Sequence, residues 1–472
     1  MTIINHASAD PTTGRHVAGP PSDALHGLDE RLTGRLVVPT DPEWPAARMP
    51  WNVVVDQQPL AVVVAAHADD VVATVRFAAE RGLTVAAQPS GHAATTASTG
   101  TILLRTGALQ DIHVDAAARV ARVGAGVKWG SLQAALEGTG LTGLVGSNPD
   151  VTVVGYCLGG GLSWFSRAFG RGAGAMRAVE IVDASGEHRW VTDATDPELM
   201  WALRGGGGDL AIVTAVEIDL FGAPEIYGGL LVFPGDAARP VLQAFAAATT
   251  TAPEQLTLWA MLMHLPDVEL LPPEVRGQSF TVVGAVHLGA PDAAERLLAP
   301  LRSAAPVVRD TMRPLGPSEV GLVAEEPVEP TPAVLAATYA HTFDDAAIDR
   351  ILALAGVGSG TPLMQVQVRH LGGALARDAR PAVAGPRSEP FLLSALSMIM
   401  APEHAAPVLG ALDDFLAQVG PWSAEAAPLT FLDRGEPLTR AYVGADLDRL
   451  RALKSALDPA GVIRGNVPIP RA

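Results

Sequence analysis

Apolar residues recur along this chain in two periods, and the change of period sorts it into elements. Residues 61–65 form an apolar run of strand length. After Asp69, residues Val72, Val75 and Ala79 return at the spacing of a helix face, and Gly82 marks its end. A second run, 83–87, completes a βαβ unit and leads into the loop Gln88-Pro89-Ser90-Gly91-His92. That loop stands at the carboxyl end of a strand, where open α/β sheets bind ligands. Upstream, Leu28, Leu32 and Leu36 predict a short helix, and Pro39, Pro45 and Pro50 predict irregular chain after it. Downstream, 100–104, 112–115 and 118–123 have strand character, and a helix carries Leu132, Ala135 and Leu136 before Gly138 and Gly140. A hairpin follows over 178–182 and 189–191, then a helix from Asp196 and Pro197 to Leu203, then a strand over 211–214.

Beyond Phe221 the pattern favours strands of an antiparallel sheet at 230–233, 256–264, 280–288, 336–343 and 364–371. Helices are predicted between them at 293–302, 344–355 and 403–419. Within 364–369, Gln365, Gln367 and Arg369 share one face and the valines the other. Such a sheet covers its apolar face with helices and turns the polar one to a cavity or to solvent. Near the C-terminus, 446–454 is an amphipathic helix ending near Asp458-Pro459, followed by a last segment from Gly461 to Ile469.

Composition narrows the classes. A chain of 472 residues is too long for one ordinary core and predicts two domains, and 48% hydrophobic residues with a mean hydropathy of +0.25 supply ample interior. Fifty acidic against 33 basic residues give a net charge of −17, which repels nucleic acid and anionic membrane surfaces. The single cysteine, Cys157, excludes an intramolecular disulfide and a cysteine-based structural zinc site; no metal is expected. Residues 1–23 read as a floppy lead-in without a signal-peptide pattern, and no window has the eighteen or so apolar residues of a membrane span. A soluble, cytoplasmic protein is expected.

The chemistry lies in three glycine-rich stretches, each read as a strand-loop element: Gln88 to Ala93, Gly146 to Gly161, and Trp201 to Gly208, the last leading into Ala211 to Thr214. The second reads Gly-Ser-Asn-Pro-Asp-Val-Thr-Val-Val-Gly-Tyr-Cys-Leu-Gly-Gly-Gly. Adjacent glycines are tolerated where the backbone needs positive φ or must approach a flat or charged group closely, so the triplet fits either a tight turn or a bound ligand. As a set, in this order and spacing, the three resemble the flavin domain of the vanillyl-alcohol oxidase and para-cresol methylhydroxylase (PCMH) superfamily. The branch is that of berberine bridge enzyme and 6-hydroxynicotine oxidase. The resemblance covers roughly residues 50 to 220 and returns near the C-terminus. It implies an α+β protein: a two-lobed FAD-binding PCMH-type domain over 24–220, an α/β substrate-binding domain on an antiparallel sheet over 221–430, and a segment, 431–472, returning to the first.

Carried over residue by residue, the resemblance implies a covalent bond from the His92 ring to the 8α-methyl of FAD. Gln88, Pro89, Ser90, Gly91 and Ala93 would hold the pyrophosphate. The reading without a cofactor is a loop histidine bonding a nearby carbonyl. The family's commoner Arg-Ser-Gly-Gly-His is here Gln-Pro-Ser-Gly-His, which lacks one cation and one amide donor. Ser147, Asn148, Asp150, Val151, Val154, Gly155, Gly159, Gly160 and Gly161 would line the flavin, joined by Val213 and Asn466. Some relatives add a cysteinyl bond just before a proline; Asn148 stands there, so a single link is implied, with Cys157 a small buried side chain. Asp209, Leu210 and Ala211 replace the usual Asn-Phe-Gly.

The implied activity is transfer of hydride from a small organic substrate to flavin N5, with dioxygen as acceptor or, in a dehydrogenase, another acceptor. Two alternatives are a flavin-dependent cyclisation or rearrangement in secondary metabolism and a flavin binder without turnover. Alcohol-oxidising relatives carry Tyr-x-Asn late in the substrate domain, where this chain has Pro428-Leu429-Thr430-Phe431. Without that tyrosine an amine substrate, which needs no hydroxyl proton removed, is favoured. Tyr339 and His341 are the substitute bases, placed on one face of 336–343 by alternation, unless they are ordinary sheet residues.

Overall fold

Four short strands open the fold. In this computed structural model, which describes residues 22–269, 272–377 and 380–470, Ala61–Val64 pairs in parallel with Ile102–Arg105, and Val85–Ala87 joins the far side of Ile102–Arg105. Arg35–Val37 adds antiparallel at the other edge. Most of the expected lead-in lies outside the described residues. The expected helix through Leu28, Leu32 and Leu36 is two 3₁₀ turns, Ser22–Leu25 and Asp29–Arg31, followed by that edge strand. Its physical reason is Asp70, a buried carboxylate that accepts the N–H groups of Thr33 (2.7 Å), Gly34 (3.0 Å) and Ala66 (2.7 Å). Burial works against that charge, but the N–H donors outweigh it and hold the Asp70 pKa below the usual carboxylate value. The connecting helix, Ala68–Arg81, buries Val71, Thr74, Val75, Phe77 and Ala78 rather than Val72 and Ala79. The face is rotated because the helix also packs on Met176–Val182 and Ile212–Asp219 of the next sheet.

That second sheet is antiparallel, ordered Ile112–Asp115, Val120–Gly124, Ile212–Asp219, Met176–Val182, His188–Thr192. The Pro197–Leu203 helix starts where expected, with the Asp196 side chain accepting Leu199 N–H at 3.1 Å. The β-branched run of the central stretch is not a strand. Val153–Leu158 is a helix, because Val153, Val154, Tyr156, Cys157 and Leu158 all enter the core and only a helical turn puts them on one side.

The third sheet has eight antiparallel strands between Ile226 and Met398. One face carries the helices Ala238–Thr249, Pro291–Arg302, Asp345–Ala355 and Pro402–Val419, packed through Phe245, Leu298, Ile351 and Phe415 on Leu258, Val283, Val366 and Leu393. The other face, through Trp259, Met261 and Val286, joins the core of Tyr156 and Trp164 from the first half. The polar side of Gln365–His370 thus points inward, toward the glycine-rich stretches.

The last segment returns to the first sheet. Val85 N–H donates to Val462 C=O (2.7 Å) and Arg464 N–H to Val85 C=O (2.9 Å), extending the open edge. A buried lysine fixes this return. Lys454, on the Gly444–Leu457 helix, donates to an Asp458 carboxylate oxygen and the Ile463 carbonyl, each at 2.8 Å, and also to the Asp209 carbonyl. The Asp209 carboxylate accepts Gly465 N–H (2.6 Å) and Ile469 N–H (3.0 Å); the Asp458 carboxylate accepts Val462 N–H and Ile463 N–H. Lys454→Met leaves two carboxylates in low dielectric without their cation. A loss of about 3–5 kcal/mol is expected, read as a lower urea midpoint together with faster proteolysis after residue 457.

Candidate functional site

The loop after Val85–Ala87 holds His92 in a defined posture. Its ring stacks on Trp51 with centroids 4.2 Å apart and planes 13° from parallel, and Nδ1 lies 3.0 Å from Ser90 Oγ. Nε2 is enclosed and has no hydrogen-bond partner among the described residues. Burial drives the ring's pKa down to about 4, against the Asp150 carboxylate and with the Lys128 ammonium, so the imidazole is neutral at pH 7. A neutral ring whose Nδ1 faces a hydroxyl leaves Nε2 as its unpaired nitrogen.

Around it the backbone presents donors. The N–H groups of Ser90, Gly91, His92 and Ala93 bond to no group among the described residues, whereas the carbonyls of Ser90 and Gly91 accept Trp51 and Asn52 N–H. Consecutive free N–H groups form an anion-binding nest. Gln88 takes no part: its side chain exchanges hydrogen bonds with Gln57, its N–H goes to Leu104 C=O, and its carbonyl accepts from Arg105. Pro89 has no N–H to offer.

In the central stretch, Asn148 is buried; its Nδ2 donates to Pro327 C=O (2.9 Å) and its Oδ1 accepts Asp150 N–H (2.8 Å). Asp150 pairs with Lys128. Ser147 and Val151 are half-buried, Val154 and Val213 buried, and no hydrogen bond of the Asn466 side chain occurs among the described residues, its carbonyl accepting from Thr95. Cys157 is enclosed, and burial lifts its thiol pKa to about 12.

The glycines divide into two kinds. Gly159, Gly160 and Gly161 face protein: a Cβ would lie 2.4 Å from Thr430 Cγ2 at Gly159, 3.5 Å from Ala384 Cβ at Gly160, and 2.4 Å from the Tyr156 ring at Gly161, the last two also at positive φ. Here the triplet serves packing. Gly155 differs, since it is exposed, mid-helix and without positive φ, and a Cβ there would meet only Thr152 Oγ1 at 3.0 Å. A helical glycine costs about 1 kcal/mol against alanine. Little in the surrounding packing requires one at Gly155, so it leaves an open, flat backbone surface for a planar group.

The opposite wall comes from the large sheet and differs from expectation at both proposed bases. Tyr339 is enclosed, its hydroxyl accepts from Arg171 Nη2 (2.9 Å), and Arg387 lies over its ring. His341 lies past the end of the Ala333–Ala340 strand and is exposed, so alternation no longer sets its direction. The two do not form a site together. Sequence reading missed Trp51, whose role rests on a stacking contact across 41 residues. It also missed the part of Arg369, noted only for its face. A groove of about 600 Å³ lined by Asp413, Glu425, Arg434, Glu436 and Arg440 shares no residue with these loops.

An enclosed histidine with one unpartnered nitrogen, a run of free N–H groups beside it, an open glycine backbone and a sheet closing over them fit a flavin dinucleotide. Together with the three sheets they define the fold of a PCMH-type flavoprotein. Residues 59–192 match the FAD binding domain family. The chain is 30% identical over 285 residues to (R)-6-hydroxynicotine oxidase of Paenarthrobacter nicotinovorans, covering 60% of each. It is 37% identical over 201 residues to an FAD-dependent monooxygenase of Fusarium proliferatum, covering 42% of this chain and 39% of that one. The aligned stretches thus span 60% or less of these relatives' own lengths. The fold is similar to that of 6-hydroxy-D-nicotine oxidase from Arthrobacter nicotinovorans, with a TM-score of 0.78 at 24% identity over 93% of this chain and 98% of that one. Physcomitrella patens BBE-like 1 gives 0.79 at 19% identity over 95% and 99%. Residues 59–192 thus form an FAD binding domain, and the chain is similar in sequence to (R)-6-hydroxynicotine oxidase and in fold to that enzyme and to a BBE-like protein. Because Cys157 is enclosed and its thiol protonated, iodoacetamide at pH 8 should leave it unmodified in the folded protein and alkylate it after urea unfolding, read by peptide mass.

Proposed function

We propose that this chain is an FAD-linked oxidoreductase that carries its flavin on a single covalent bond from His92 and removes hydride from a small organic substrate. The observation that carries the reading is the unpartnered Nε2 of a neutral, Trp51-stacked His92 beside four free backbone N–H groups. Ser90, Gly91, His92 and Ala93 hold the pyrophosphate, and Gly155 with its flanks Asp150, Val151 and Val154 supports the ring system. Ser147, Asn148, Val213 and Asn466 complete the surround; we do not assign Gln88, Pro89 or the 159–161 triplet to flavin contacts. When bound, the isoalloxazine supplies the redox chemistry, with dioxygen as the proposed acceptor. The chain supplies binding, orientation and exclusion of water, with residues 24–220 and 431–472 as the flavin domain and 221–430 as the substrate domain. The cytoplasm is the proposed compartment.

No general base stands ready on the substrate side. The Tyr339 hydroxyl is engaged by Arg171, and His341 faces outward. This supports a substrate that gives up hydride without a hydroxyl proton being removed first, such as a neutral amine.

After acid precipitation the flavin should stay with the protein, and a peptide containing His92 should carry the mass of FAD. His92→Ala should leave any flavin extractable, and Cys157→Ser should leave the covalent content unchanged. Complete release of flavin from wild-type protein into the acid supernatant would sink the histidyl assignment.

With an amine that bleaches the flavin anaerobically, Tyr339→Phe and His341→Ala should each slow flavin reduction by less than about tenfold, below the range for loss of a general base. Losses of several orders of magnitude, with flavin loading intact, would point to alcohol oxidation.

A further inference from the structure

Several of the enclosed guanidiniums of this protein have ready explanations; Arg171, with Nη2 on the Tyr339 hydroxyl and a buried Nε without a partner among the described residues, is less fully satisfied. Arg105 donates to the carbonyls of Ala47, Met49 and Gln88. Arg167 caps Leu256, Ala252 and Leu371 carbonyls, and Arg204 grips the Asp193 carboxylate and the Met176 carbonyl. Each is tied down by the chain around it. Arg369 is not. It stands on the inward face of Gln365–His370, half-buried, and its one hydrogen bond runs from Nε to Gln367 Oε1. Among the described residues neither Nη has a hydrogen-bond partner and no carboxylate forms an ion pair with it; Glu326 acts on it only at a distance.

Its surroundings are aromatic. The guanidinium carbon lies 5.3 Å from the Trp164 ring centre and 5.4 Å from that of Phe431. Trp164 in turn stacks on Trp259, with centroids 4.0 Å apart. Gln367, which orients Nε, is itself buried and anchored on Met261 Sδ at 3.7 Å. The head group is thus aimed by its neighbours while both Nη atoms stay unpaired. Holding a cation out of bulk water without a counter-charge costs free energy, and a planar fork kept free matches a carboxylate bidentately.

We propose that Arg369 is a specificity-determining residue whose Nη fork receives a carboxylate of the substrate, while Phe431 and the edge of Trp164, backed by the buried Trp259, flank the apolar part that bears it. The inference rests on the oxidoreductase reading for the word substrate, but its test does not depend on the flavin. Benzoate, benzamide and 4-nitrophenolate are titrated by calorimetry into the wild type, Arg369→Gln and Arg369→Lys, with flavin content measured separately.

Wild type should bind benzoate at least about tenfold more tightly than the isosteric amide, and Arg369→Gln should abolish that difference, as charge-assisted bidentate pairing requires. Arg369→Lys should keep part of it, since the charge remains and the fork is lost. Equal affinity of wild type for benzoate and benzamide, or no binding of either, overturns the proposal whatever the variants do. So does unchanged benzoate affinity in a folded Arg369→Gln. Binding of 4-nitrophenolate without benzoate overturns the carboxylate assignment. Protein that purifies without flavin yet discriminates benzoate from benzamide contradicts the proposed function and leaves the Arg369 site standing.

Discussion

The fold depends on one buried ammonium. Lys454 draws Asp209, at the end of the third glycine-rich stretch, and Asp458, at the end of the last helix, into one cluster, and the two carboxylates then organise the N–H groups of Val462, Ile463, Gly465 and Ile469. Two carboxylates around one cation leave net negative charge in the interior. Burial raises the Asp209 pKa, with Lys454 pulling the other way, while Asp458, also opposed by burial, is held low by its bond to Lys454 and its N–H donors. The cluster is tolerable only because nearly every lone pair in it meets a donor. Its consequence is topological: a chain end that has crossed the large sheet is brought back to the open edge at Val85, beside the His92 loop.

Replacement of the family's Asn-Phe-Gly by Asp209, Leu210 and Ala211 looked from sequence like an acid placed near the cofactor. In the folded chain the acid faces the other way, and its partner is the returning segment. The same lesson applies to the glycine triplet. Three adjacent glycines signal close approach without saying to what, and here Tyr156, Thr430 and Ala384 are what approaches. The more telling glycine is Gly155, already among the residues the resemblance implies, because the packing around it leaves it nearly unexplained.

Element types were legible wherever period and punctuation agreed, as at Asp196 to Leu203 and in the long strands that end at His264 and Leu288. They were not legible where a distant polar group overrode a local pattern. Leu28, Leu32 and Leu36 carry a helical period, yet Asp70 claims the N–H groups of Thr33 and Gly34, and Leu36 becomes part of a strand. The site was legible as loops and not as geometry. His92 and its neighbours could be named from a resemblance, but the Trp51 stack, the Gln57–Gln88 pairing and the isolation of Arg369 are contacts between positions far apart in sequence.

These contacts bear on how a proton could be managed on the substrate side. Tyr156 borders the same space, but burial raises its pKa well above that of a free phenol, so it stays protonated and cannot act as a base. Tyr339 is locked to Arg171, and Tyr442, likewise raised by burial, donates to the Gly205 carbonyl. The wall therefore offers two phenols, Tyr156 and Tyr442, that burial keeps protonated, beside guanidiniums that keep their charge. Such a lining stabilises negative charge on a bound molecule and resists taking a proton from it. Under the proposed function an alcohol would have to lose its hydroxyl proton to such a lining, whereas a neutral amine that also bears a carboxylate would meet no such demand, its anionic end facing the proposed Arg369 site and its nitrogen lone pair assisting hydride departure.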